Sequence, residues 1–235
     1  MRRLTLALCA AAILSAGFDD PKPGDENLGL KPPAGATVLF DGKDLDGWLG
    51  RDGKAAAWPV GDGYFTVGPR LGDVHTAKSF GDFRLHLEFQ TPLMPEAKGQ
   101  ARGNSGVYLG GIHELQILDS YGLKLQDNDC GAIYKQIVPA VNACKPPLQW
   151  QSYDVTFHKA KLDGGKVAKR ARVTVVQNDL TIIDDKEIDP TPGGTSMEPG
   201  TDGPILLQDH GNAVRFRNIW IVPLPDAGAK HYEPH

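Results

Sequence analysis

The densest run of chemically capable side chains is Asn104-Ser-Gly-Val-Tyr-Leu-Gly-Gly-Ile-His-Glu-Leu-Gln-Ile-Leu-Asp119. Its alternation reads as two strands joined at Gly110-Gly111, with Glu114 and Gln116 on one face and Leu115 and Ile117 on the other. Asp119 falls on the wrong face unless an extra residue bulges the strand, and bulges recur beside active sites because they redirect side chains. So arranged, Glu114, Gln116 and Asp119 would bring two carboxylates and an amide to one pocket, a set suited to acid–base work. A solvated polar strand face accounts for the same residues without chemistry, and the segment alone leaves both readings open.

Far down the chain, Gly203-Pro-Ile-Leu-Leu-Gln-Asp-His-Gly-Asn212 puts Gln208 and His210 on a shared face. A histidine near a strand end suits general acid or base work near neutral pH, although a surface histidine is the commoner case. In Val214-Arg-Phe-Arg217 the two arginines alternate with apolar residues, and Arg217 is the candidate to anchor sugar hydroxyls or an oxyanion. Tyr108, Tyr134 and Trp150 lie beside these motifs and would offer flat apolar faces to a ligand, while core packing is the commoner role for any one of them. Trp48, Trp58 and Trp220 are assigned to structure.

The elements that must position these groups are strands. Phe83, Leu85, Leu87 and Phe89 alternate with Arg84, His86, Glu88 and Gln90, and Tyr153, Val155 and Phe157 alternate likewise, the period of half-buried strands. Further strands are expected at Thr37–Phe40, Tyr64–Val67, Ser105–Leu109, His113–Leu118, Val173–Gln177, Leu180–Ile183, Pro204–Gln208 and Val214–Val222. With 28 Gly and 18 Pro between them, and no sustained helical stripe, the chain reads as all-β, a sandwich or jelly roll. Two longer irregular stretches, Thr91–Gly103 and Tyr121–Gln151, are expected to rim a cleft.

Arg2 and Arg3 precede an apolar run from Leu4 to Leu14 and then Ser15, Ala16 and Gly17, so residues 1–17 read as a signal peptide, too short to span a bilayer. The chain is expected to be exported, periplasmic or secreted, with no membrane insertion after processing. Residues 18–35 read as a flexible leader, 36–225 as one domain, and 226–235 as a tail. A net charge of −4 without a basic run leaves no footprint for nucleic acid. Cys130 and Cys144, in an exported chain, are expected to form a disulfide closing a loop of about 15 residues, worth roughly 3 kcal/mol in the chain-entropy model.

The acid, polar residue, acid spacing from Glu114 to Asp119 is similar to the bulged catalytic strand of laminarinase-type glycoside hydrolases, where Asp and Glu stand in place of Gln116 and Asp119. That likeness implies a glycosidase acting on unoxidised glycans. A broader resemblance covers nearly the whole mature chain. Leu39-Phe-Asp-Gly-Lys-Asp-Leu-Asp-Gly-Trp48, Gly103-Asn-Ser-Gly-Val-Tyr108, Glu114-Leu-Gln-Ile-Leu-Asp-Ser-Tyr-Gly122, Cys130-Gly-Ala-Ile-Tyr134 with Asn142-Ala-Cys144, and Gly203 to Trp220 resemble, in order, the 3-keto-disaccharide hydrolase domain family.

The resemblance implies a concanavalin-like jelly-roll sandwich of two antiparallel sheets. It also implies a carbohydrate substrate, a glycoside oxidised to a ketone at C3, whose C2 proton a base can remove before the C1 substituent leaves. His210 is then expected as base, and Glu114 and Asp119 as acid or as ligands of an enolate-stabilising divalent ion, which the sequence does not require. Asn104, Tyr108, Gln116, Tyr134, Gln208 and Arg217 are expected to bind substrate. A non-catalytic carbohydrate-binding module on the same scaffold is the competing expectation.

Overall fold

A computed structural model describes residues 22–225; the expected signal peptide (1–17), the beginning of the leader and the tail (226–235) lie outside the described residues. The chain forms β1 (Thr37–Phe40), β2 (Trp48–Gly50), β3 (Val60–Gly61), β4 (Tyr64–Thr66), β5 (Val74–Thr76), β6 (Phe83–Gln90), β7 (Ser105–Leu109), β8 (His113–Ile117) and β9 (Gln151–His158). Then follow β10 (Lys161–Asp163), β11 (Lys166–Lys169), β12 (Ala171–Gln177), β13 (Leu180–Ile188), β14 (Leu206–Leu207) and β15 (Arg215–Pro223). One 3-10 turn, Gly99–Ala101, is the sole helical element among the described residues, and none of their helices is long and apolar enough to cross a membrane.

An eight-stranded sheet runs β13-β12-β9-β6-β15-β4-β3, with β1 also bordering β15, and a five-stranded sheet runs β2-β5-β14-β7-β8. β10 and β11 make a separate hairpin. The pairings are antiparallel, so the chain is an all-β sandwich as expected. The period-two residues fill the space between the sheets: Leu85, Leu87 and Phe89 of β6 and Phe216 of β15 share one buried cluster with Val107, Leu109, Leu115 and Ile117 of β7 and β8. Phe65 knits this core, edge-on to Phe40 at 4.7 Å and stacked on Phe216 at 5.6 Å.

Two expectations change here. β6 is buried on both faces except at Arg84, because its polar side is roofed by the segment expected as a flexible leader. Asn178 and Asp179 form the left-handed turn between β12 and β13, and the Asp179 carboxylate accepts the N–H groups of Glu26 and Asn27 at 2.8 and 2.9 Å. Asn27 donates to Asp154, Gly29 N–H donates to Glu88 at 2.6 Å, and the Leu30 carbonyl accepts from Asn218. Beneath this strap, His86 is held above its ordinary pKa: burial opposes its charge, but Asp154 at 2.8 Å and Glu88 outweigh that cost. Glu88, despite its own burial, is drawn down to about 2 by donors from His86, Asn218, Gly29 and Arg217.

Cys130 and Cys144 are buried free thiols, so the expected disulfide is absent. Other bonds hold their loop: Cys130 N–H donates to Ser120 Oγ at 3.0 Å, Asn178 Nδ2 donates to the Ala143 carbonyl at 2.6 Å, and Cys130 Sγ lies 3.3 Å from the Tyr153 hydroxyl.

Asp179→Asn keeps a residue that tolerates the left-handed backbone but leaves one acceptor where the strap uses two. Hydrogen-exchange mass spectrometry should find faster exchange across Glu26–Leu30 and a stability loss of about 1 kcal/mol. Unchanged protection there would show that the turn does not hold the strap.

Candidate active site

β8 is the edge of the five-stranded sheet, and its residues set the site by simple alternation. Leu115 and Ile117 enter the core while Glu114 and Gln116 face outward, opposite Tyr108 and Gly106 of β7. Gly106 is needed for space: a Cβ there would lie 2.6 Å from Glu114 Oε1. Gly110 and Gly111 both take positive φ (58° and 74°) to turn β7 into β8.

Two loops cover the strand's open edge and withdraw Glu114 from water. From the cysteine loop, Tyr134 N–H donates to the Glu114 carbonyl at 3.1 Å and the Ala132 carbonyl accepts Gln116 N–H at 2.9 Å. From the β13–β14 connection, Thr191 N–H donates to the Ile112 carbonyl at 2.7 Å, and Thr191 Oγ1 accepts Glu114 N–H at 3.2 Å. His113, lowered to about 4 by burial, stays neutral near pH 7, so its Nδ1–H can donate to the Asp189 carbonyl at 2.9 Å.

The result is a cavity of about 170 Å³ lined by Asn104, Tyr108, Glu114, Gln116, Tyr134, Gln208 and His210, together with Gln100, Pro192 and Gly193. Glu114 is 3% exposed, and burial raises its carboxyl from 4.5 to about 7. The Tyr108 hydroxyl, donating to Oε2 at 3.0 Å, works against that rise, and the negative charge of Asp73 adds to it. Tyr108 is itself pushed well above its ordinary pKa by burial and then by Glu114. Asp73 is held by Arg51 at 2.9 Å, and Arg51 also donates to the Gly193 carbonyl at 2.9 Å, tying this charge to the loop that walls the cavity. His210 is exposed at the mouth.

Two expected site residues lie elsewhere. The β7–β8 ladder runs from Ser105↔Ile117 to Leu109↔His113 without a shift, so no bulge redirects Asp119. Asp119 lies past the strand end, where its carboxylate pairs with Arg102 at 3.3 Å and its carbonyl accepts from the same guanidinium at 2.8 Å. Arg217 stands on the outer face of the other sheet, bonded to Glu88 at 2.7 Å and lying 4.1 Å over the ring of Trp150, which shares that face instead of the cavity. Sequence reasoning did not single out Gln100, Pro192 or Gly193, which reach the cavity from loops; Gln100 lies in Thr91–Gly103, the stretch expected to rim a cleft, and the Pro192-Gly193-Gly194 turn signal was the local mark of the other two.

The cavity's oxygen donors are one carboxylate and several neutral amides. Among the described residues no three His, Cys, Asp or Glu side chains gather as a metal would require, and Asp119, the expected second ligand, is engaged by Arg102. This donor set does not fit the divalent ion that the sequence left open. It does fit hydroxyl groups, because the amide oxygens of Asn104, Gln116 and Gln208 are buried there without a partner.

Comparison with known proteins accords with this picture. A "putative glycosyl hydrolase" from Parabacteroides distasonis is 35% identical, with a TM-score of 0.78 over 94% of this chain and 100% of that one. A second protein so described from the same organism, 24% identical over 81% of this chain and 94% of its own, shares the fold with a TM-score of 0.60. Curated protein sequences gave no match. The model of the 3-keto-alpha-glucoside-1,2-lyase-like domain matches residues 35–222, and the chain belongs to that family.

Proposed function

We propose that this chain is an exported enzyme that cleaves the glycosidic bond of 3-keto-glycosides, with Glu114 as the base. The observation that carries this reading is a nearly dry carboxyl, raised to about 7, facing a small cavity walled by hydroxyl-accepting amides. A ketone at C3 acidifies the hydrogen on C2. Glu114 takes that proton, and the electrons of the C2–H bond form an enolate whose charge rests on the C3 oxygen. As the ketone re-forms, a C1=C2 double bond appears and the C1–O bond to the leaving group breaks. His210, at the mouth, gives the departing oxygen its proton. Water then adds across C1=C2, so the sum is hydrolysis without an oxocarbenium ion.

Tyr108 supports both stages. It donates to the Glu114 carboxylate at rest, and once Glu114 is protonated its O–H can turn to the new oxyanion. The base is thus Glu114, where sequence reasoning named His210. Family membership supports a carbohydrate-active enzyme of glycosidase type. Retaining cleavage of unoxidised glycans would need a second carboxylate beside Glu114, and Asp119 does not line the cavity. A non-catalytic sugar-binding module has no task for a carboxyl poised near neutrality.

The purified chain should release aglycone and form an enone from a 3-keto-glucoside while leaving the unoxidised parent intact. Glu114→Gln should lower kcat by about 10²–10⁴-fold. Release from the parent sugar at a similar rate would refute ketone assistance.

The reaction needs the Glu114 carboxylate, so the acidic limb of the kcat/KM profile, along which activity falls as pH is lowered, should have its midpoint near 7. Asp73 raises the Glu114 pKa by its charge, so Asp73→Asn should move that midpoint to lower pH. A midpoint that stays put or rises would mean that another group titrates.

A further inference from the structure

The cavity's hydrogen-bonding character is set by one residue outside the reacting pair. Gln100 sits in the 3-10 turn of the loop between β6 and β7, and its Oε1 accepts from Asn104 Nδ2 at 3.2 Å and from Gln116 Nε2 at 2.9 Å. Its own Nε2 donates to the Asn128 carbonyl at 2.7 Å. Asn104 Nδ2 also reaches the Gln100 backbone carbonyl at 2.7 Å, and Gln116 Nε2 reaches the Asn128 carbonyl at 3.3 Å. Both amide nitrogens therefore face acceptors alone. Turning either amide over would set oxygen against oxygen, so Asn104 Oδ1 and Gln116 Oε1 are locked in the orientation that leaves them buried and unpartnered. Both residues are 1% exposed, and Gln208 adds a third unpartnered oxygen, its nitrogen lying 3.4 Å from the Tyr108 hydroxyl.

We infer that Gln100 is a positioning residue that makes the cavity a reader of hydroxyl donors, selecting neutral sugars with free hydroxyl groups over uronates. The inference deepens the carbohydrate reading above and rests on it. Above the Glu114 midpoint near 7, the three amide oxygens and the Glu114 carboxylate present acceptors only, so a ligand entering the cavity must bring O–H groups to them. A sugar carboxylate brings negative charge and no donor, and meets Glu114 as a like charge in a site of low dielectric. The Gln100 turn is braced from behind: Arg102 N–H donates to the Gly99 carbonyl at 3.1 Å, and the Arg102 guanidinium is clamped by Asp119. Asp119 thereby supports the cavity indirectly, through Arg102, without lining it.

Calorimetric titration of the full chain with methyl glucoside and with methyl glucuronide tests this without turnover. The glucoside should bind at least ten-fold tighter. Gln100→Met, which keeps the shape but frees both amides to turn, should weaken the glucoside roughly ten-fold or more and bring the two dissociation constants together.

A wild-type chain that prefers the glucuronide, or a folded Gln100→Met that keeps the full preference, would overturn the inference while leaving ketone-assisted cleavage standing. If neither sugar binds, the inference falls, and turnover of the 3-keto-glucoside then decides separately whether the cleavage reading falls with it.

Discussion

A carboxyl withdrawn from water must either gather donors or hold its proton, and the two sheets of this sandwich carry one example of each. Glu88, on the outer face of the large sheet, receives the His86 imidazole, Asn218, the Gly29 N–H and Arg217, and its pKa falls to about 2. Glu114, on the outer face of the small sheet, has Tyr108 as its one side-chain donor and Asp73 as an unfavourable neighbour, and it rises to about 7. The same side chain is structural in one place and reactive in the other because of what surrounds it. Much of the architecture around β8 follows from keeping Glu114 dry: Gly106 makes room for it, and two loops seal the strand's edge.

That sealing also explains why loops without secondary structure are held so firmly. The wall at Thr191–Thr195 is fixed at Ile112, Gly111, Glu114 and Arg51, and the cysteine loop is stitched to β8 by its backbone. Walls fixed at this many points leave the unpaired oxygens of Asn104, Gln116 and Gln208, carried on or beside the strands, open to a ligand without collapsing onto them, as a mobile rim would.

The sequence carried a good share of this, and the failures have physical causes. Alternation alone separated Glu114 and Gln116 from Leu115 and Ile117, and the paired glycines placed the turn. Alternation tells which side of a strand a residue takes, but not which sheet the strand joins. Arg217 and Trp150 were therefore expected near the site and lie on the opposite layer. Asp119 was drawn in by an assumed bulge, whereas the strand simply ends and Arg102 claims the carboxylate. The polar side of β6 looked solvated because nothing local announces that a segment more than fifty residues earlier will lie across it. Gln100 lay in a stretch expected to rim a cleft, but its own role was not legible, since that role exists only once Asn104, Gln116 and Asn128 are brought around it.

The strap has an orientational consequence. It crosses the outer face of the eight-stranded sheet, and the cavity opens from the outer face of the five-stranded one, so the chain enters the fold on the side turned away from the cavity. A resin, a fusion partner or a lipid surface joined ahead of Lys22 would therefore meet the back of the sandwich, leaving the mouth at His210 open to diffusing sugars.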